Sequence, residues 1–368
     1  MSRALRINLI IVMCVLAGLT LIEFLIRTYY PQATYAIRTA PWGWRHIPTI
    51  SFLHASEGGG DVALARVQYN VHGHRDIERS ITRPANTKRI LVLGDSFAEA
   101  MVSPVEEVHA SVLERRLNQF YPKTSFEVIN MGVYAYNTCQ ELMQLEAEGL
   151  QYDPDAVIVI YTMDDLENLH SDLCRLSAGR LVLEPIKFSW MERTRTYVKG
   201  WIKSQIHFAT FLQSQAGVQR NTARNWAPAE DRLPKWAPIA RDRPDLWPMI
   251  GERGGSDSRE EQRGWELTKR IFLRMRDVLA ARGVKLLVIA TRFDPESSNE
   301  VIRRPSLLRK AFFDRAGIIV RFTASIRGLG IYGIPGDGHW NAKGHAYIAR
   351  KMLGMLRQAR VIKPLSQN

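Results

Sequence analysis

Ser96 closes the run Ile90-Leu-Val-Leu-Gly-Asp-Ser96, in which four apolar residues, Ile90 to Leu93, stop at Gly94-Asp95. A short, fully apolar run reads as a buried parallel strand, and the glycine after it permits a tight turn. Asp95 and Ser96 then stand at the carboxyl end of a strand, where open α/β sheets hold their ligands. A serine there becomes a nucleophile when a histidine reaches it. The candidate is His339, in Gly336-Asp-Gly-His-Trp-Asn341, two residues after Asp337. Residues two apart in an extended segment point the same way. The Asp337 carboxylate can therefore fix the imidazole tautomer and stabilise the imidazolium formed when the serine gives up its proton. Asn341 reads as the N-cap of a last helix, so the histidine is presented just ahead of a rigid element.

Taken in order, Gly94-Asp95-Ser96-Phe97, Asn130-Met-Gly132, the pair Asp164-Asp165 after a strand, and Asp337-Gly-His339 resemble the blocks of the SGNH/GDSL hydrolases, over residues 88–358. The stretches Tyr69-Asn-Val-His-Gly-His-Arg75-Asp76 and Ser204-Gln-Ile-His207-Phe208 are similar to membrane-anchored bacterial members, esterases and polysaccharide O-acetyltransferases among them. The resemblance implies Ser96 as nucleophile, His339 as general base and Asp337 as its orienting acid. It also implies the backbone N–H groups of Ser96 and Gly132 as oxyanion donors. The family's third donor is an asparagine, and here Asp164 holds that position. An ionised carboxylate accepts hydrogen bonds and donates none. Loss of one such donor costs about 2.7–4 kcal/mol of transition-state stabilisation in other enzymes. Either burial protonates Asp164, or Asn168 or Asn137 substitutes, or activity is weak.

The remaining polar residues read more plainly. His109 and His345 are expected as packing or surface histidines. His72 and His74 flank Gly73 without further ligand spacing, so no metal is expected, and no cofactor is implied. Asp95 reads as a cap on the turn. Of three cysteines, Cys14 lies in an apolar run. Cys139 and Cys174 are expected as unpaired thiols, although an oxidising compartment would permit a bridge.

The elements that must position these residues follow from alternating patterns. Strands are predicted near 88–94, 126–131, 155–162 and 285–292, and helices near 104–119, 138–150, 259–282 and 342–358. Ser103 with Pro104 and Glu106 reads as a capping box with a proline at the first helical position. Thr138 with Glu141, and Ser258 with Glu261, repeat the start signal. Alternation of this kind predicts an α/β fold, a three-layer α/β/α sandwich around a parallel, flavodoxin-like sheet. Residues 88–358 form the expected hydrolase-like domain, with an insertion at 166–257 and a tail at 359–368. Within the insertion, 186–215 reads as basic, amphipathic helices. The segment 219–256, with Trp226, Trp236 and Trp247, reads as a long loop.

Upstream, Ile7 to Ile26 gives twenty mostly apolar residues, long enough at 1.5 Å per residue to span about 30 Å of hydrocarbon. A transmembrane anchor over 7–28 is favoured over a cleaved signal peptide, because no small-x-small site follows the apolar core. Arg3 and Arg6 place the tail 1–6 in the cytoplasm, and the rest outside it. Glu23, near the outer end, can pair with Arg27 one turn on. Residues 29–87, broken by Pro41, Pro48 and Gly58-Gly-Gly60, read as a small β-rich lead-in. With 50 basic against 37 acidic residues, the net charge is +13, which suits anionic headgroups or acidic polysaccharide. No nucleic-acid motif appears. The expected partners are an acylated small molecule or polysaccharide, and the membrane through the N-terminal helix. The expected function is an extracytoplasmic serine ester hydrolase or O-acyltransferase. The competing expectation is a catalytically weak polysaccharide-binding protein.

Overall fold

The computed structural model describes residues 2–29, 37–55, 64–162, 165–208, 211–212, 259–291, 293–323, 332–334 and 339–363. The chain begins with α1 (Arg3–Tyr29), a run of 27 residues nearly all exposed, long and apolar enough to cross a bilayer by length and composition. Two antiparallel hairpins follow. β1 (Ile37–Ala40) pairs with β2 (Gly43–His46), and β3 (Ser51–Ala55) with β4 (Leu64–Gln68). These form the β-rich lead-in expected from the broken pattern. Ile47, Ile50, Phe52, Val67 and Tyr69 form a small core of their own with Met101.

The main sheet holds β5 (Thr87–Gly94), β6 (Ser125–Asn130), β7 (Ala156–Tyr161), β10 (Lys285–Ala290) and β11 (Ile319–Phe322). All neighbours are parallel, in the order β6-β5-β7-β10-β11. Numbered within the sheet, that is 2-1-3-4-5, whose topological switch point lies between β5 and β7. Strand side chains alternate between two cores, as period-2 geometry requires. Leu91, Leu93, Val157 and Val159 face α4 (Thr138–Ala147) and α7 (Arg259–Ala280). Ile90, Val92, Ile158 and Ile160 face α3 (His109–Phe120) and α9 (Ala342–Gln358). The result is the expected three-layer sandwich.

Several boundaries differ from the sequence pattern. The helix predicted from 104 begins at His109, after a 3₁₀ turn over Val105–Glu107. Ser103 does not cap it; its hydroxyl lies 3.4 Å from the Trp340 carbonyl. On α4 the capping box is Asn137 with Gln140, one residue ahead of the Thr138 pattern. The start signal at Ser258 lies outside the described residues. An unpredicted helix, α8 (Glu300–Ala316), leads into the four-residue edge strand β11. Pro305 lies inside α8, where a proline ordinarily kinks or breaks a helix. Between β7 and α7 lie short α5 (Asp165–His170), a β8 (Cys174–Ser177)–β9 (Arg180–Leu183) hairpin, and α6 (Trp190–Gln205). The long loop 219–256 lies outside the described residues.

The two thiols expected to be free are joined. Cys139, at the start of α4, and Cys174, on β8, form a disulfide with 6.1 Å between their Cα atoms. Sequence separation hid this proximity, because the turn through α5 brings β8 back over the start of α4.

Candidate active site

Ser96 sits where the apolar strand ends. β5 finishes at Gly94, whose φ of +150° is open to glycine, and a Cβ there would lie 2.8 Å from the Ala98 Cβ. The chain then turns into α2 (Ser96–Glu99), one turn of helix capped by Asp95, whose carboxylate accepts the Phe97 N–H at 2.9 Å. The other Asp95 oxygen accepts the Thr162 hydroxyl at 2.5 Å, from the residue after β7. Asp95 is the turn cap that the sequence suggests, and it also ties the ends of β5 and β7 across the switch point. Ser96 is half-buried. Among the described residues its backbone N–H donates no hydrogen bond, so it is open at the helix N-terminus.

His339 comes from the far end of the chain. Its Nε2 lies 2.8 Å from Ser96 Oγ across 243 residues of sequence. The segment carrying it is held on both sides. The Ile334 N–H donates to the His339 carbonyl at 2.8 Å, and Gly333 bridges Trp340. Asn341 caps α9, accepting the Gly344 N–H at 3.0 Å, and its amide donates to the Gly333 carbonyl at 3.0 Å. The imidazole packs on Phe97 with ring centroids 4.9 Å apart. Beneath it, the buried Trp340 meets Phe97, His109 and His345 edge-on. His109 and His345 are packing residues, as expected. Their Nδ1 atoms lie 3.2 Å apart, so one ring donates and the other accepts. Burial drives both toward the neutral form, the first to about 3 and the second well below its ordinary value, with His109 and nearby cations adding to the latter.

The oxyanion candidates fare unevenly. Gly132 follows β6 and packs against α2 so closely that a Cβ would lie 2.4 Å from the Glu99 backbone nitrogen. Its own N–H donates to Asn130 Oδ1 at 3.1 Å, so it must share that bond or exchange it to meet a substrate. Both candidate substitutes for Asp164 are buried. Asn137 Oδ1 caps α4 through the Gln140 N–H at 3.0 Å, with the residue buried. Asn168 is fully buried, accepting the Cys139 N–H and donating to Thr268 Oγ1, each at 2.9 Å. Asp164 and Asp337 lie outside the described residues. His72 and His74 belong to the lead-in: His72 Nε2 meets the Arg79 carbonyl, and His74 is buried beside Tyr152.

The sequence pattern missed a buried polar cluster behind the turn that carries Ser96. Arg75, itself buried, donates to the carbonyls of Glu99 (2.9 Å), Ala100 (2.7 Å) and Ser103, tying off the end of α2. Glu99, fully buried, lies 2.8 Å from His46 Nε2, accepts the Tyr69 hydroxyl and accepts the Tyr134 N–H at 2.5 Å. Burial alone would raise the Glu99 carboxyl. The His46 ring and the hydrogen bonds from His46, Tyr69 and Tyr134 instead hold it below the usual carboxylate range. His46, Tyr69 and Arg75 all come from the lead-in, so that segment braces the turn that presents Ser96. The signal in sequence was the run 69–76, marked only by similarity.

No family model matches the chain, and no curated protein does. Solved structures resemble it loosely. TesA is 13% identical, with 74% of this chain and 99% of that chain covered at a TM-score of 0.39. The acetylxylan esterase Axe2 from Geobacillus stearothermophilus is 10% identical, covering 73% and 93% at 0.37. The psychrotrophic esterase EstA from Pseudoalteromonas sp. is 12% identical, covering 75% and 100% at 0.39. At these values the likeness says nothing about activity, and the geometry has to speak for itself.

Proposed function

We propose that this chain is a membrane-anchored, extracytoplasmic serine hydrolase of the SGNH type that acts on ester bonds. The observation that carries the reading is the 2.8 Å approach of His339 Nε2 to Ser96 Oγ at the switch point of the sheet. In that arrangement the imidazole takes the serine proton as the hydroxyl attacks an acyl carbonyl. Asp337, two residues upstream, is the proposed orienting acid. The Ser96 N–H, and the Gly132 N–H once released from Asn130, are the proposed oxyanion donors. The ester bond to the departing alcohol breaks, leaving the acyl group on Ser96. His339 returns the proton to that alcohol. Water then completes hydrolysis, or a sugar hydroxyl accepts the acyl group in an O-acyltransferase. An acylated cell-envelope or exported polysaccharide is the proposed substrate.

The anchor reading rests on α1, with Arg3 and Arg6 at its start and the domain on the far side. The Cys139–Cys174 bridge supports an oxidising compartment for that domain. A second reading is a catalytically weak polysaccharide-binding protein. It is favoured by Asp164 in the asparagine position and by the Gly132 N–H being taken by Asn130. Turnover of p-nitrophenyl acetate by the full chain in detergent, wild type against Ser96→Ala, separates the two. The hydrolase reading expects the variant to lose activity by several orders of magnitude. Equal rates together with retained glycan binding favour the second.

A further inference from the structure

Helix α6 carries its apolar face outward. Its buried positions are small: Gly200 and Ser204 are buried and Thr196 is half-buried. A Cβ on Gly200 would lie 2.6 Å from the Ile37 carbonyl oxygen, so this narrow face lies directly on β1. The large apolar side chains point away. Trp190 is 74% exposed, Trp201 49% and Val198 45%, and Met191 and Ile202 are exposed with them. At 3.6 residues per turn these five fall within about 120° of the helix circumference, one continuous stripe, with Tyr197 at its edge lining a cavity against β1. A helix in a soluble domain turns such a stripe to the core. Arg195 borders one edge of the stripe, placed to extend its charged end away from an apolar phase, and Arg193 stands on the side toward β1.

The position of α6 says what covers the stripe. Its C-terminal end is fastened to the outer end of α1. Arg27 donates to the Gln205 carbonyl at 2.5 Å, and Glu23 accepts the N–H groups of His207 and Phe208 at 3.0 and 2.8 Å. A charge near the end of a spanning helix lies at the headgroup level. Glu23, the odd residue of the apolar segment, thus acts as a fastening for α6. Beside the first half of α6, a cavity of about 370 Å³ opens against β1, lined by both Arg38 and Arg193. Among the described residues the Arg38 Nε there has no hydrogen-bond partner. Two guanidinium groups lining one cavity suit the phosphate of an anionic headgroup.

We infer that α6 lies in the lipid–water interface of the bilayer that α1 crosses, with its apolar stripe among the acyl chains and anionic headgroups on Arg38 and Arg193. The inference rests on α1 being a membrane anchor. Together the two helices hold the domain to the membrane at two points and fix the orientation of the Ser96 cleft relative to the surface.

Site-directed spin labelling of the full chain in lipid nanodiscs of phosphatidylcholine and phosphatidylglycerol tests this. One sample carries the label on the native Cys14, within α1. A second carries it at Trp201→Cys in a Cys14→Ser background, and a third at the exposed Arg282→Cys in the same background. The label at position 201 should be more accessible to oxygen than to an aqueous nickel complex, at a depth shallower than the label on Cys14. A label at 201 as open to nickel as the one at 282 overturns the inference, provided Cys14 reports lipid. If Cys14 also reports water, the anchor reading itself fails. Shielding of position 201 from both reagents also overturns it, because a second copy or the segment 213–258 then covers the stripe. In discs of phosphatidylcholine alone the label at 201 should sit shallower, and equal depth in both would remove the anionic headgroups from Arg38 and Arg193.

Discussion

Replacing Gly132 with alanine should separate Ser96 from His339 without touching either. The added Cβ would lie 2.4 Å from the Glu99 nitrogen and 2.6 Å from both the Ala98 carbonyl carbon and its Cβ. Comfortable contact needs about 3.5–4 Å, so β6 and α2 must part by about 1 Å. Two of the three atoms are backbone of the single turn that begins with Ser96, so no side-chain rotation relieves the clash. A displacement of about 1 Å at a reacting centre costs about 100-fold in rate, or about 2.7 kcal/mol in activation free energy. Overpacking at such a site lowers stability by about 1–3 kcal/mol. The assay is kcat/KM for p-nitrophenyl acetate with wild type, Gly132→Ala and Ser96→Ala, alongside urea denaturation of each. Gly132→Ala should fall about 100-fold while remaining folded at low urea. Wild-type rate and stability in this variant would refute the close packing of β6 on α2 as the feature that sets the serine in place.

Other expectations follow from the same contacts. His109 and His345 are buried and neutral when folded but take protons near pH 6.5 when unfolded, so the unfolded chain binds more protons as the pH falls. Their stabilising contribution is full above about pH 6.5 and shrinks below it, by about 3 kcal/mol for the pair at pH 5.5; urea midpoints at pH 8 and 5.5 check this, and His109→Asn/His345→Asn should flatten the difference. The Cys139–Cys174 bridge spans 35 residues, and loop-closure entropy assigns it about 4 kcal/mol. Cys139→Ala/Cys174→Ala should therefore lower the denaturation midpoint, whereas an unchanged midpoint under reductant would argue against the bridge. Arg75→Met leaves three carbonyls at the end of α2 without their donor and should cost about 3 kcal/mol or more. A smaller loss, with unchanged p-nitrophenyl acetate turnover, would show that the lead-in does not brace the turn that carries Ser96.

The parts of the fold set by local chemistry were legible in the sequence. The run 90–93 and its glycine announced β5 and the serine after it, and Asn341 announced α9 at its observed start. The pairing of Ser96 with His339 was legible through motif order rather than periodicity. What stayed hidden depends on long-range proximity. α8 was obscured by Pro305, which it tolerates inside the helix, and β11 is only four residues long on the sheet edge. Asn137 and Asn168 looked like candidate donors because sequence does not reveal which amides are buried; both hold α4 in place by accepting its N–H groups. The outward stripe of α6 has the periodicity of a core-facing helix. Its exposure shows that it is not turned to a core, and its fastening to Glu23 and Arg27 supports the interfacial placement.

The central claim is that His339 activates Ser96, and a fluorophosphonate reads it directly, since the reagent reports a serine nucleophile whatever the natural acyl group. After treatment of the full chain and proteolysis, mass spectrometry should find the phosphonate on the peptide carrying Ser96. The rate of labelling should rise with pH as the imidazole loses its proton, and it should collapse in His339→Gln. Labelling confined to another residue, or undiminished in His339→Gln, would contradict the account.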